Sequence, residues 1–239
     1  MMRTFTSMKQ EMPVNLTSNS KSAEAGFTLI EILVAIFLVT FILGVVLTGS
    51  QSHSKHLDEV VSGIDRAVRF GADESALRNV VVRINFKLEE TPQVFAVEYG
   101  PNSQFIPMPR NEASLSSLAG SEKELLEAQL KELNNKFNRI RELQDQAIEV
   151  PETITILGLG TISTSELIKD GDVSIYLFPT GEKENAVVYI ASEEEIVQLE
   201  IKPFTMDIIR TNFPHNHGES LEERINMAEN LFKDWLIQE

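Results

Sequence analysis

Residues 27–47 are almost uniformly apolar, and Glu31 is the one charged residue among them. A helix of that length rises about 1.5 Å per residue and reaches about 31 Å, which matches a hydrocarbon core of about 30 Å. Beyond residue 47 polar residues become frequent, but apolar residues continue at helical spacing from Leu57 to Val68. The pattern predicts a membrane-spanning helix that continues as an amphipathic stalk, with Gly71 as a candidate C-cap.

Beyond the stalk, short apolar runs bounded by glycine and proline predict β-strands. The first two, at 80–88 and 94–99, form a predicted hairpin. Five more strands are predicted at 153–157, 173–178, 186–191, 196–201 and 205–209. The last four of these five are expected to form an antiparallel meander joined by short turns.

Two further helices are predicted from apolar residues spaced by three and four. Between 121 and 148 the stripe consists of Leu126, Leu130, Leu133, Phe137 and Ile140, and Gln144 and Ala147 continue the same spacing. We expect this face to dock onto the protein's own head, although a partner helix or coiled coil fits the same spacing.

A C-terminal docking helix is predicted after Gly218, with one apolar face formed by Leu221, Ile225, Ala228, Phe232 and Trp235. The expected fold class is therefore α+β. A long N-terminal transmembrane and stalk helix packs against an antiparallel β-sheet head that carries an extra inserted helix and a C-terminal helix.

The charge balance narrows the function. The chain has 21 Lys and Arg against 36 Asp and Glu, a formal charge of −15. Because phosphate backbones would be repelled over most of such a surface, we expect no nucleic-acid partner. The absence of cysteine excludes disulfides, thiol catalysis and thiolate metal sites.

Glu31 distinguishes between several readings of the apolar segment. A secretory signal peptide would have a shorter uncharged core, and a plain single-span anchor would need no carboxylate. Within a membrane a carboxylate costs about 2.5–3.5 kcal/mol and normally has a partner. Cleavage between Gly26 and Phe27 would create an ammonium group at Phe27, one helical turn from Glu31. The two groups would then pair within one chain or between neighbouring chains.

The stretch Gly26-Phe27-Thr28-Leu29-Ile30-Glu31 resembles the prepilin peptidase site of type IV pilins and type II secretion pseudopilins. The resemblance implies that Gly26 ends a cytoplasmic leader, that Phe27 becomes the N-methylated mature terminus, and that Glu31 serves assembly. The leader is long for this family, and Met8 or Met12 are alternative starts. Lys21 before the span favours a cytoplasmic N-terminus and a periplasmic head.

The strand region is similar to that of H-type minor pseudopilins and related FimT-type minor pilins, which have a Phe-Pro-x-Gly turn. Here the turn is Phe178-Pro179-Thr180-Gly181. The helix at 121–148 and the C-terminal extension depart from that pattern. The organisation implied is a leader at 1–26, a membrane helix and stalk at 27–78, a head at 79–217 with its helical insertion, and a C-terminal helix at 218–239.

The resemblance implies a non-enzymatic minor pseudopilin of a type II secretion system in the inner membrane, assembled into a pseudopilus. Its expected partners are the prepilin peptidase and methyltransferase, other minor and major pseudopilins, and exported proteins. Two alternatives stay open. One is a minor pilin of a type IV pilus or DNA-uptake system, and the other is a membrane-anchored binding module or hydrolase.

Other candidate chemistry is sparse. His215 and His217, with Glu219 nearby, have ligand types that suit a divalent metal, but alternating histidines in a polar loop are more typical of solvated turns. Asp170-Gly171-Asp172 is better explained as a turn than as a calcium loop. No nucleophile elbow or complete phosphate-binding glycine motif is present. We therefore predict no catalytic residue, no metal and no cofactor.

Overall fold

The computed structural model describes residues 28–101, 120–140, 147–216 and 218–238. The chain divides into two units, Met1–Val45 and Val46–Glu239. The first helix, α1 (Leu29–Arg78), contributes to both. The predicted α+β class is confirmed, with antiparallel sheets and a C-terminal helix following α1.

Gly71 is not the C-cap of α1, because the helix continues to Arg78. A Cβ at Gly71 would lie 2.5 Å from Leu177 Cδ1, so the glycine permits close packing against a strand. Asn79, the residue after the helix, has a left-handed φ of 53°. The Val80 N–H donates to the Ser75 carbonyl at 3.3 Å, as in helix ends closed by a left-handed residue.

Nine strands lie in the described chain. They are β1 (Val82–Lys87), β2 (Val94–Tyr99), β3 (Asn138–Arg139), β4 (Ile148–Glu149), β5 (Thr155–Thr161), β6 (Asp172–Leu177), β7 (Ala186–Ala191), β8 (Glu195–Ile201) and β9 (Ile208–Pro214). The first sheet has the order β3-β2-β1-β6, with β4 also paired to β2, and the second has the order β5-β7-β8-β9.

The predicted hairpin is confirmed, since β1 and β2 pair antiparallel from Val82 opposite Tyr99 to Lys87 opposite Val94. The predicted four-strand meander is wrong at its first member. β6 joins the first sheet, where it pairs with β1 along its whole length. The remaining three strands, β7, β8 and β9, do form a meander, but β9 begins at Ile208 and extends beyond the predicted strand at 205–209.

The second sheet is covered on both faces. Val188 and Ile190 of β7 belong to the core that α1 shares, whereas Val187, Tyr189 and Ala191 belong to a second core. Because successive side chains of a strand point to opposite faces, burial on both sides makes all six residues of β7 buried.

The predicted helix at 121–148 is wrong in its second half. The helix α2 (Ser121–Asn134) ends early, and β3 and β4 occupy positions that the stripe assigned to the helix. Phe137 and Ile140 are buried, but they follow the helix. Tertiary contacts explain the change, because Arg83 donates to Asn134 Oδ1 at 2.6 Å and its guanidinium lies 3.9 Å from the Phe137 ring centre. The side chains of Leu126 and Leu130 lie outside the described part.

The predicted C-terminal helix is confirmed as α3 (Leu221–Gln238). Ser220 and Glu223 form a capping box, with the Ser220 N–H donating to Glu223 Oε2 at 2.8 Å and the Glu223 N–H donating to Ser220 Oγ at 3.3 Å. Phe232 and Trp235 are buried against the second sheet. The Trp235 indole N–H donates to Glu200 Oε1 at 3.1 Å.

Gly160 on β5 sets the distance between the second sheet and α3. A Cβ at this position would collide with the buried Phe232 ring. We expect Gly160→Ala to lower the free energy of unfolding by about 1–3 kcal/mol through overpacking. Urea unfolding of the full chain in detergent, followed by Trp235 fluorescence, measures the change.

Phe232→Leu provides the matched test, because it removes the ring atoms that the new methyl group meets. The double variant should be less destabilised than the sum of the two single variants. Strict additivity would contradict the predicted contact.

Candidate functional site

The first turn of α1 is organised by Thr28. The Glu31 N–H lies 3.3 Å from Thr28 Oγ1 and donates to the Thr28 carbonyl at 3.0 Å. The Ile32 N–H donates to the same carbonyl at 3.2 Å. The bonds from Glu31 satisfy an amide group that has no i to i−4 partner in the helix, and the bond from Ile32 is a regular helical hydrogen bond. The Thr-x-x-Glu spacing of a capping box is present in the sequence and would have identified Thr28 as the cap.

Glu31 occupies the first turn of α1 and is exposed. A carboxylate is favourable there because the helix dipole places partial positive charge at the N-terminus. Within residues 28–44, which the structure describes, no basic side chain is available to pair with it. Gly26 and Phe27 lie outside the described residues, so the predicted pairing of Glu31 with a Phe27 ammonium stays a prediction.

The large apolar side chains of residues 29–43 are exposed within the unit Met1–Val45. Their exposed fractions range from 48% to 84%. They are Leu29, Ile30, Ile32, Leu33, Val34, Ile36, Phe37, Leu38, Val39, Phe41, Ile42 and Leu43. Because these positions are nearly consecutive, the helix is apolar on every face. A patch of this extent marks a surface that requires lipid or other apolar helices around it.

Thr40 is the uncharged polar residue within residues 29–43, and its hydroxyl is satisfied locally. The hydroxyl lies 2.9 Å from both the Ile36 and Phe37 carbonyls. Such bonding back to the helix lets a threonine sit in apolar surroundings without an unpaired hydroxyl.

Among the residues that the structure describes, no helix combines the length and hydropathy of a membrane span. The predicted span at 27–47 begins at Phe27, outside those residues.

His215 is not the solvated turn residue that was expected, since 1% of its side chain is exposed. Its Nδ1 lies 3.1 Å from the Asn216 carbonyl, and its Nε2 lies 3.1 Å from the Ser192 carbonyl. The ring therefore joins the loop before α3 to the turn before β8. His217 lies outside the described part, and within that part no three potential metal ligands converge.

Asp170-Gly171-Asp172 is a turn that leads into β6, and Gly171 has a φ of 70° that favours glycine. Gly158 and Gly160 make room for neighbouring side chains. A Cβ at Gly158 would lie 2.8 Å from the Leu167 side chain, so the two glycines have a packing role within β5.

Among the described residues, the head contains a polar cavity that the sequence did not predict, here called the edge cleft. It has a volume of about 140 Å³ and lies between the outer edge of β6 and the turn after β5. Asp172, Ser174 and Tyr176 line it from β6, Ser163 lines it from the turn, and Glu184 lines one side. The lining comes from segments far apart in the chain, so no local motif could have indicated it.

Glu184 is half-buried at the side of the edge cleft. Burial raises the pKa of its carboxyl from 4.5 to about 7, although hydrogen bonds from the Tyr176 N–H and the Thr161 side chain favour the ionised form. The Tyr176 N–H donates to Glu184 Oε2 at 3.1 Å. Glu184 is consequently a carboxyl group that titrates near neutral pH.

The N-terminal segment has a clear relationship to a known motif. Residues 21–47 match the family model described as the prokaryotic N-terminal methylation motif. This motif indicates a type IV pilin-like protein that prepilin peptidase processes and that assembles with other pilin-like subunits. It also indicates a membrane-anchored N-terminus. No curated protein and no solved structure matches the chain.

The raised pKa of Glu184 predicts a pH-dependent stability. Between pH 4.5 and about 7 the folded state binds more protons than the unfolded state, so the free energy of unfolding falls as pH rises. Glu184→Gln removes this loss. We expect the variant to match the native chain near pH 4 and to be more stable at pH 8, by at most about 3 kcal/mol.

Urea unfolding at a series of pH values measures the effect, and Glu182→Gln serves as the control because Glu182 is exposed two residues away. Equal pH profiles for the native chain and the Glu184 variant would show that the carboxyl does not titrate in this range.

Proposed function

We propose that this protein is a minor pseudopilin of a type II secretion system, anchored in the inner membrane and processed between Gly26 and Phe27. The observation that carries the proposal is the methylation motif at residues 21–47, which includes Glu31. The helix that begins in this motif continues as a stalk, and a β-rich head follows it in the chain. That arrangement suits a subunit whose work is assembly.

The uncovered apolar residues 29–43 provide the contact surface in this proposal. In the membrane they face lipid, and in the pseudopilus they pack against the same segment of neighbouring subunits. Glu31 pairs with the terminal ammonium of Phe27, from its own chain or from a neighbour. The pair lowers the cost of holding a carboxylate in an apolar environment and sets the register between subunits.

The head favours the H-type among pseudopilins. Phe178-Pro179-Thr180-Gly181 forms a turn in which the Gly181 N–H donates to the Phe178 carbonyl at 3.0 Å, and Gly181 has a φ of 85°. Antiparallel strands precede and follow this turn.

The methylation motif also fits a minor pilin of a type IV pilus or DNA-uptake system. The formal charge of −15 disfavours a DNA-contacting tip, because such a surface repels phosphate. An anchored binding module or hydrolase would leave Glu31 without a role in the membrane helix. Secretion therefore remains the preferred system.

Processing gives the first test. Membranes that contain prepilin peptidase should convert the full chain into a product that begins with N-methylated Phe27, as measured by N-terminal sequencing and intact mass. Matched membranes without the peptidase should leave the leader attached. A product that begins near Thr48 to Ser50 would instead indicate a secretory signal peptide and would overturn the proposal.

Glu31→Leu gives the second test. Cleavage should be normal, because the scissile bond lies outside the substitution, whereas incorporation into filaments should fall about tenfold or more after loss of a charge-assisted contact. In-membrane cross-linking measures incorporation and identifies the neighbouring subunits.

Glu59→Gln is the control, since Glu59 is an exposed carboxylate on the stalk. Unchanged incorporation of the Glu31 variant would remove the pairing role. Neighbours that are pilus subunits would assign the protein to the alternative system.

A further inference from the structure

The edge cleft exposes the backbone of β6. The Tyr176 N–H donates to Glu184 Oε2 at 3.1 Å, and its carbonyl accepts from the Glu184 N–H at 2.9 Å. Both backbone groups of Tyr176 therefore point away from β1. In an antiparallel pair, alternate residues point their backbone groups the same way. Ser174 must share this direction, which places its N–H and carbonyl toward the cleft.

A second contact supports this assignment of backbone direction. The Leu88 N–H donates to the Gly171 carbonyl at 3.0 Å, so Gly171 bonds toward the β1 side. Because the direction of the backbone groups alternates along a strand, every second residue from Gly171 bonds toward β1. Ser174 and Tyr176 lie between those residues and therefore face outward. Among the described residues, no backbone group bonds the Ser174 N–H or carbonyl on that side. The outer edge of β6 is thus open over a short length at Ser174, beside the edge cleft.

The charge of the lining indicates what the cleft accepts. Its ionisable side chains are the carboxyl groups of Asp172 and Glu184 and the phenol of Tyr176, and no Lys, Arg or His is among the described residues that line it. A cationic group is therefore favoured over an anionic one. The cleft is smaller than the roughly 300–1,000 Å³ pockets that hold drug-sized ligands, so it admits one side chain and the adjoining backbone.

We propose that the edge cleft binds an extended peptide segment of a partner protein, which adds to β6 at Ser174 and places a lysine or terminal ammonium beside Glu184. Backbone hydrogen bonds supply the pairing, and the acidic cavity supplies the selectivity, as in other cases of strand addition. Glu184, at the side of the open edge, is the residue that selects a positively charged peptide by pairing with its ammonium group.

The near-neutral titration of Glu184 is consistent with this role, because an ammonium group that enters the cleft stabilises the ionised carboxyl. The site lies in the head and does not depend on cleavage at Gly26 or on the secretion system. Its failure would leave the proposed function intact.

The test uses the full chain in detergent micelles and two blocked pentapeptides, Val-Thr-Lys-Thr-Val and the same peptide with norleucine in place of lysine. Backbone amide NMR locates the binding site and measures affinity. The lysine peptide should shift the amides of 161–164 and 172–176. It should bind about tenfold more tightly than the norleucine peptide, and more tightly at pH 8 than at pH 6.

Glu184→Gln should weaken binding of the lysine peptide about tenfold and leave the norleucine peptide unaffected. Glu182→Gln is the matched control and should bind as the native chain does. Ser174→Pro removes the outward N–H without touching a carboxyl group, and it should weaken both peptides. The amide spectrum away from the cleft verifies that each variant is folded.

Three results would overturn the proposal. The first is no shift in the cleft residues at millimolar peptide. The second is equal affinity of the Glu184 variant and the native chain for the lysine peptide. The third is binding of free lysine amide as tight as that of the peptide, which would identify a small-cation site in place of strand addition.

Discussion

Leu57, Ile64 and Val68 on the stalk part of α1 are fully buried against apolar residues from both sheets. Each large side chain buried in this way contributes about 1.5–3 kcal/mol, and the two sheets share one core through them. Both sheets bury apolar residues in the core that this helix shares. The helix that carries the N-terminal apolar residues is therefore also the element on which the head is built.

The buried polar groups of the head follow from this packing. Arg83 is 3% exposed and pairs with Glu98 at 2.7 Å, and it also binds the end of α2. Glu200 receives the Trp235 indole N–H and lies 3.2 Å from Lys202 Nζ. In both places a charge that packing removes from water has a compensating partner. Within the described part of the chain, Glu184 has hydrogen-bond donors but no cation beside it, and the cleft next to it therefore favours a cation.

The two candidate sites place opposite demands on their surroundings. The segment at 29–43 is apolar on all faces and requires apolar neighbours, whereas the edge cleft is polar, acidic and small. The first suits permanent packing among like subunits, and the second suits recognition of a short segment of another chain. Separate variants can therefore test assembly and recognition independently.

The sequence by itself determined the N-terminal segment and most elements of the head. The apolar run, Glu31 and the Gly26-Phe27 pair, which is the predicted cleavage site, are local features, and strands such as β2 and β7 follow from residue types within a few positions. The C-terminal helix could also be predicted from the sequence, because the apolar residues Ala228, Phe232 and Trp235 recur with the helical period. The same three residues are buried in the structure.

Tertiary structure decided everything that depends on which segments meet. β6 pairs along its whole length with β1, a strand that lies far away in the sequence. Read locally, the same residues look like the start of a meander. α2 ends at Asn134 because Arg83, fifty-one positions away, binds that residue and stacks on Phe137. The edge cleft and the half-buried state of Glu184 likewise depend on segments that are distant in the sequence and meet only in the folded chain. Hydrophobic periodicity specifies which face of an element is buried, but it carries no information about the partner that buries it.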